Sequence, residues 1–189
     1  MAGRRKDGAG RFCQTRGAGT QMMHMVPFCE LLSGCERSAF HLEMRDRYGD
    51  PVYEEWRAGR PVDTCPAYRD WYALISAAVA RGVKVRRARV VSEPFSDYVR
   101  FEYEVTPALN IAAGERVRWL PRRSASDLLL PGNDFWVFDH RLVRFHHFDG
   151  NGEQLGTEVN EDPVVVRLCA RAFKQVWARA VDHRSYQPA

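Results

Sequence analysis

Apolar and polar positions along this chain fall into runs of two periods, and the most strongly patterned stretch covers residues 133–148. The apolar run Phe135 to Phe138 and the run Leu142 to Phe148 flank Asp139-His140-Arg141, an interruption of the length that closes a β-hairpin. In the second run Leu142, Arg144, His146 and Phe148 share one face, and Val143, Phe145 and His147 the other. Neither face is purely polar, so the strand is expected to be covered on both sides. Asp149-Gly150-Asn151-Gly152 is a strong turn signal, and residues 153–159 read as a short edge strand. Asp162-Pro163 then supplies an N-cap and a first-turn proline. Beyond it Val165, Leu168, Cys169, Ala172, Phe173, Val176, Trp177 and Ala180 form one helical stripe, with Arg167, Arg171, Lys174 and Arg179 mostly opposite. Trp136 and Trp177 are therefore expected on opposite sides of one interface between the hairpin and the last helix.

Upstream, Phe28, Leu31, Leu32, Cys35, Ala39 and Leu42 keep three-and-four spacing, which predicts a first helix ending before Tyr48-Gly49, with Gly34 its weak point. Asp50-Pro51 starts a short helix over residues 52–58, and residues 60–66 form a connector. A further helix over residues 67–81 buries Trp71, Leu74, Ile75, Ala78 and Val79 and ends at Gly82. Residues 83–91 are rich in β-branched side chains and too short for another helix, so they read as the first strand. Residues 95–106 fit either period. The Ser96 cap and the stripe Tyr98, Phe101, Val105 favour a helix ended by Pro107. A second strand covers residues 116–120, and residues 121–133 form a loop long enough to be a lid or rim.

These elements predict an α/β (α+β) fold: a small mixed sheet with a late hairpin, N-terminal helices and a long C-terminal helix. At 189 residues, 45% of them hydrophobic, the chain suits one core-bearing domain over residues 25–184, with a flexible tail at 185–189. The net charge of +4 belongs to the first 21 residues, where Arg4, Arg5, Lys6, Arg11 and Arg16 outnumber Asp7. Residues 1–24 read as a disordered basic arm, and the neutral remainder argues against a nucleic-acid-binding body. No apolar run is long enough to span a membrane, which predicts a cytoplasmic protein. Five cysteines without a CxxC pair predict reduced, packed thiols.

The candidate site is Arg87, Arg89, Ser92, Asp97, Tyr98 and Arg100 beside Asp134, Asp139 and Arg141. In open α/β sheets ligands collect at the carboxyl ends of strands, and residues 90–98 are such an exit. Arginines there could fork onto a carboxylate or phosphate, or Arg89 could pair with Asp139 or Asp97 as a structural ion pair. His140, His146, His147 and Asp149 are metal-ligand types. Adjacent strand residues point oppositely, however, so His146 and His147 would not share an ion, and no metal or other cofactor is implied. None of the cysteines sits in a nucleophile motif.

Leu42-Glu43-Met44-Arg45-Asp46-Arg47-Tyr48, Arg89-Val90-Val91-Ser92, Ser96-Asp97-Tyr98, Ala112-Ala113-Gly114-Glu115, Asp134-Phe135-Trp136-Val137-Phe138-Asp139 and Trp177 together resemble a family of uncharacterised actinobacterial proteins. The likeness covers residues 26–182 and implies a neighbourhood of helix-turn-helix regulators. A fainter resemblance, carried by the order of strand, helix, strand, late hairpin and C-terminal helix, is to half of a phospholipase D-like domain. Aligning that family's aspartate on Asp139 puts Gly132 and Asp134 where its His-x-Lys pair belongs, which implies a scaffold without that chemistry.

Three functions remain. The first is a non-enzymatic regulatory protein that binds an anionic small molecule or a helix-turn-helix regulator. The second is an enzyme acting on a phosphate- or carboxylate-bearing substrate. The third is a nucleic-acid-binding accessory protein using the arm and the basic face of the last helix.

Overall fold

The structure is a computed structural model that describes residues 26–189, so the arm expected at residues 1–24 lies outside the described residues. Its elements are α1 (Phe28–Ser33), β1 (Ser38–Glu43), α2 (Pro51–Arg57), α3 (Pro66–Ala80), β2 (Lys84–Val91), α4 (Asp97–Thr106), β3 (Arg116–Pro121), β4 (Phe135–Phe138), β5 (Leu142–Phe148), β6 (Gln154–Asn160), α5 (Pro163–Arg179) and β7 (Val181–Asp182). The strands form one sheet in the order β6-β5-β4-β1-β2-β3-β7. β1, β2 and β3 run parallel, and the remaining pairings are antiparallel. This is the mixed α/β architecture expected from the sequence, with the hairpin and the terminal helix in place.

The predicted first helix is corrected. It stops after one and a half turns at Gly34, and residues 38–43 form β1, between β2 and β4. The Asp139 carboxylate accepts the N–H groups of Glu36, Arg37 and Ser38 at 2.7–2.9 Å and steers the chain into the strand. Because β1 is covered on both faces, Ala39 and Leu42 are both fully buried while pointing in opposite directions. Their three-residue spacing imitated a helical stripe.

The caps behave as expected. Asp50 accepts from Val52 N–H, Ser96 from Val99 N–H, and Asp162 from Val164 N–H. Pro107 directly follows the last residue of α4, as expected. It opens a π-helical turn, Pro107–Ile111, where a missing N–H costs little. Gly82, at φ +91°, follows α3 in the left-handed conformation. The β4–β5 turn places Asp139 and His140 at φ 51° and 57°, and the hydrogen bonds to the Asp139 carboxylate compensate the unusual backbone.

One face of the sheet packs on α5: Leu42, Ala88, Val90, Phe135, Val137 and Val143 meet Cys169, Ala172, Phe173 and Val176. The buried stripe of α5 includes Val166, whereas Leu168 is 54% exposed, so the expected stripe is out of phase at its start. The opposite face carries Ala39, Val85, Trp136 and Phe138 against Phe28, Leu32, Ile75 and Ala78 of α1 and α3. Trp136 and Trp177 therefore do not share an interface. Strand alternation gives Phe135 and Val137 to α5 and turns Trp136 toward Phe28, 4.9 Å between ring centroids. Trp177 instead stacks on Phe173, with the Arg118 guanidinium 4.5 Å from its ring centre.

The chain end, expected as a free tail from residue 185, is held at Tyr186. That ring is buried against Trp119, and its hydroxyl donates to Glu93 at 2.6 Å. Cys35, Cys65 and Cys169 are free and buried. Among the described residues no helix is long and apolar enough to cross a membrane.

Candidate ligand-binding site

The face turned away from α5 becomes polar toward the ends of β1 and β2. His41 and Glu43 of β1, Arg87 and Arg89 of β2, and Arg144 and His146 of β5 project from it, each at least nine-tenths buried except the half-buried His146. Glu43 is the hub. One of its carboxylate oxygens receives Arg87 Nη1, and the other receives Arg89 Nε at 2.7 Å. Arg87 Nε also donates to Glu115 at 2.9 Å, and Arg89 lies 3.1 Å from Glu102 and donates to the Thr106 hydroxyl at 2.8 Å. Both guanidinium groups also lie over aromatic faces, Arg87 over Trp71 and Trp136 and Arg89 over Trp119.

The two carboxyls that share Arg89 are pushed apart. Burial drives Glu102 up to about 8, reinforced by Glu43 and opposed by the arginines. Glu43 feels the same burial, but Arg87 and Arg89 outweigh it and hold Glu43 below its ordinary value. Glu43 bridges Arg87 and Arg89, Glu115 pairs with Arg87, and at neutral pH Glu102 is mostly protonated.

Above this network α2, α3 and α4 roof a cavity of about 530 Å³. Its walls include Phe28, Trp71, Trp136, Phe101, Leu109 and Phe148, and its polar lining includes Tyr48, Tyr98, Asp50, Asp134, Arg144 and His146. Asp134 accepts the Tyr48 hydroxyl at 2.5 Å and Met44 N–H at 2.9 Å. Burial raises its carboxyl to about 6 in spite of these bonds. Burial and the nearby Arg144 charge pull His146 down to about 3, so the ring is neutral in ordinary conditions. The volume is in the range of small-molecule pockets, and the lining mixes aromatic walls with many charged and polar groups.

Residues 27–188 match the family model described as a domain of unknown function, DUF6879. The chain belongs to this family. No curated protein matches its sequence. Among solved structures, a phospholipase D family member, Nuc from Salmonella typhimurium, is similar at 13% identity, with 82% of this chain and 86% of that one covered and a TM-score of 0.47. TrmBL2, described as an archaeal chromatin protein with a novel mode of DNA binding, is similar at 17% identity and a TM-score of 0.47. There the match covers 80% of this chain and 47% of the other.

In this DUF6879 domain the residues singled out from sequence separate into two groups. Arg87, Arg89, Tyr98 and Asp134 line the cavity together. Ser92, Asp97, Arg100, Asp139 and Arg141 lie outside it. Ser92 is held by Asp46, which accepts its N–H at 2.8 Å and its hydroxyl at 2.6 Å, and Arg122 joins both. This latch occupies the strand exit where a ligand was expected. Asp97 and Arg100 are exposed on α4. Asp139 holds the entry to β1, and its carboxyl, though burial raises it, is brought down to about 2 by the backbone N–H groups it accepts. Arg141 is exposed, 3.5 Å from Asp139. The suggested ion pair of Arg89 with Asp139 or Asp97 is replaced by pairing with Glu43 and Glu102. His146 enters the cavity while His147 meets Glu158, as strand alternation requires. Sequence reasoning missed Arg144. Its signal was a charged residue on a strand expected to be covered on both sides.

Proposed function

We propose that this protein is a non-enzymatic ligand-binding module whose site is the cavity between the sheet and α2–α4, and whose bound state is read by a partner. A DNA-binding regulator of the helix-turn-helix class is the partner this reading favours, as the neighbourhood implied by the sequence resemblance suggests. The observation that carries the reading is the cavity of about 530 Å³ with aromatic walls over a charge-balanced floor. A preformed recess of this size binds without having to be assembled first. Among the described residues its lining contains no lysine, serine or threonine, its cysteine is the buried Cys65 at the start of α3, and Gly132 and Asp134 stand where the phospholipase D-like resemblance would require a histidine and a lysine. Binding is favoured over covalent or phosphoryl chemistry on those grounds.

The test is a thermal-shift screen of the full chain against a library of small metabolites, repeated with Leu109→Trp, which fills the cavity from one wall. Ligands that stabilise the wild type and lose most of that effect in the filled variant support the reading. Ligands that stabilise both equally place the site elsewhere and sink it.

A further inference from the structure

Resting on the cavity reading, we propose that Arg144 and His146 form an anion subsite within it, and that the ligand is an apolar or aromatic monocarboxylate. Arg144 is the observation that points to a ligand. It is 8% exposed, its Nε and Nη1 are buried without a hydrogen-bond partner, and it has no carboxylate in ion-pair reach among the described residues. The face of Phe28 lies beside it, 5.6 Å from ring centre to guanidinium carbon. Burial lowers the guanidinium to about 10, which still leaves it charged at neutral pH. A buried, unpaired charge costs free energy, and a ligand that neutralises it recovers that cost. Arg87 and Arg89, by contrast, have their own carboxylates.

His146 adds a second donor. Its Nδ1 lies 3.3 Å from the Gln154 amide nitrogen, and an amide N–H donated there puts the ring proton on Nε2. That Nε2 is buried, has no partner and lies two residues along the same strand face as Arg144. Two residues of the cavity lining thus carry three buried nitrogens without a protein partner.

The surroundings set the class of anion. One guanidinium charge balances a monoanion, and a dianionic phosphate would stand in a cavity that also holds Glu43 and Asp134. The planar fork of arginine matches a carboxylate. Phe28, Trp71 and Phe148 supply aromatic wall for the rest of the ligand, while Trp136 is taken up by His41, stacked on it at 4.3 Å.

The experiment titrates full-length protein with 3-phenylpropionate and with straight-chain carboxylates of four to ten carbons. The matched primary amides and phenyl phosphate are the controls, and affinity is read by calorimetry. Wild type should prefer each bound carboxylate over its amide by about tenfold or more, the scale of a charge-assisted hydrogen bond, and over phenyl phosphate as well. Arg144→Gln should reduce that preference to within about twofold, and Arg144→Lys should restore part of it. Equal binding of acids and amides, abolished by Leu109→Trp, leaves the cavity reading standing and overturns the anion subsite. Preference for phenyl phosphate overturns the monocarboxylate class, and no binding by any probe overturns the proposal outright. Should Arg144→Gln fail to fold, the acid-to-amide ratio in wild type decides alone.

Discussion

Against α5 the sheet presents Leu42, Ala88, Val90, Phe135, Val137 and Val143, and on its other face the same strands present His41, Glu43, Arg87, Arg89, Arg144 and His146. The first face is sealed by one amphipathic helix. The second is covered by α1 to α4, which leave a recess over the charged residues. A layer held by apolar contact alone tolerates no vacancy, whereas ion pairs that neutralise each other beside a cavity can hold a shape open. On the function proposed above, the α5 face of the sheet serves packing alone, and the opposite face combines the packing of α1 and α3 with the ligand cavity.

The largest expected effects test that division. Phe135→Ala, at a fully buried position against α5, should cost about 3–5 kcal/mol in urea unfolding, with no second substitution that recovers it readily. Glu115→Ala should cost about 3–5 kcal/mol as well, because it strips a buried partner from Arg87. There the double variant Arg87→Met/Glu115→Leu should recover a large part of the loss, since apolar groups of similar volume often replace a buried pair at little cost. Equal irreparability on both faces would break the comparison.

The tryptophans come next. Trp136→Ala, at 1% exposure, should cost about 3–5 kcal/mol, and Trp177→Ala distinctly less, because its ring is only partly covered.

Stability should also respond to pH through the polar face. Glu102 is raised from its ordinary 4.5 to about 8, so the stability it contributes is present at low pH and lost as pH rises through about 8. Asp134 behaves alike up to about 6. His146, lowered from 6.5 to about 3, works oppositely: its contribution is present above 6.5 and lost as pH falls toward 3. Between pH 6.5 and 8 Glu102 dominates. The urea midpoint of the wild type should fall across that window, and in Glu102→Gln it should stay nearly flat. The smallest effect is at the exposed Leu168, where Leu168→Ser should change stability by no more than about 0.5 kcal/mol.

Much of the fold was legible where one period ruled. The hairpin, the capped helices α2, α4 and α5, and the turn at residues 149–152 each follow from local chemistry. β1 was not legible, because a strand buried on both faces loses alternation and the spacing of Ala39 and Leu42 then mimics a helix. The site was half legible. Arg87 and Arg89 stood out as charges on a strand, but their partners Glu43, Glu102 and Glu115 come from three other elements, and sequence distance hides such contacts. Asp139 was singled out as a ligand-site or ion-pair residue, whereas its carboxylate is taken up by the backbone N–H groups of residues 36–38.

The most direct test of the division between the faces sets Phe173→Ala, on the α5 side, against Arg144→Gln, on the cavity side, and measures calorimetric affinity for a bound carboxylate together with the urea midpoint. The expected result is a crossed pattern. Phe173→Ala lowers the midpoint strongly and, at a temperature where it remains folded, binds as the wild type does; Arg144→Gln keeps or raises the midpoint and loses the carboxylate. Affinity that falls in proportion to stability in both variants would contradict the account, because it would mean that the two faces do one job.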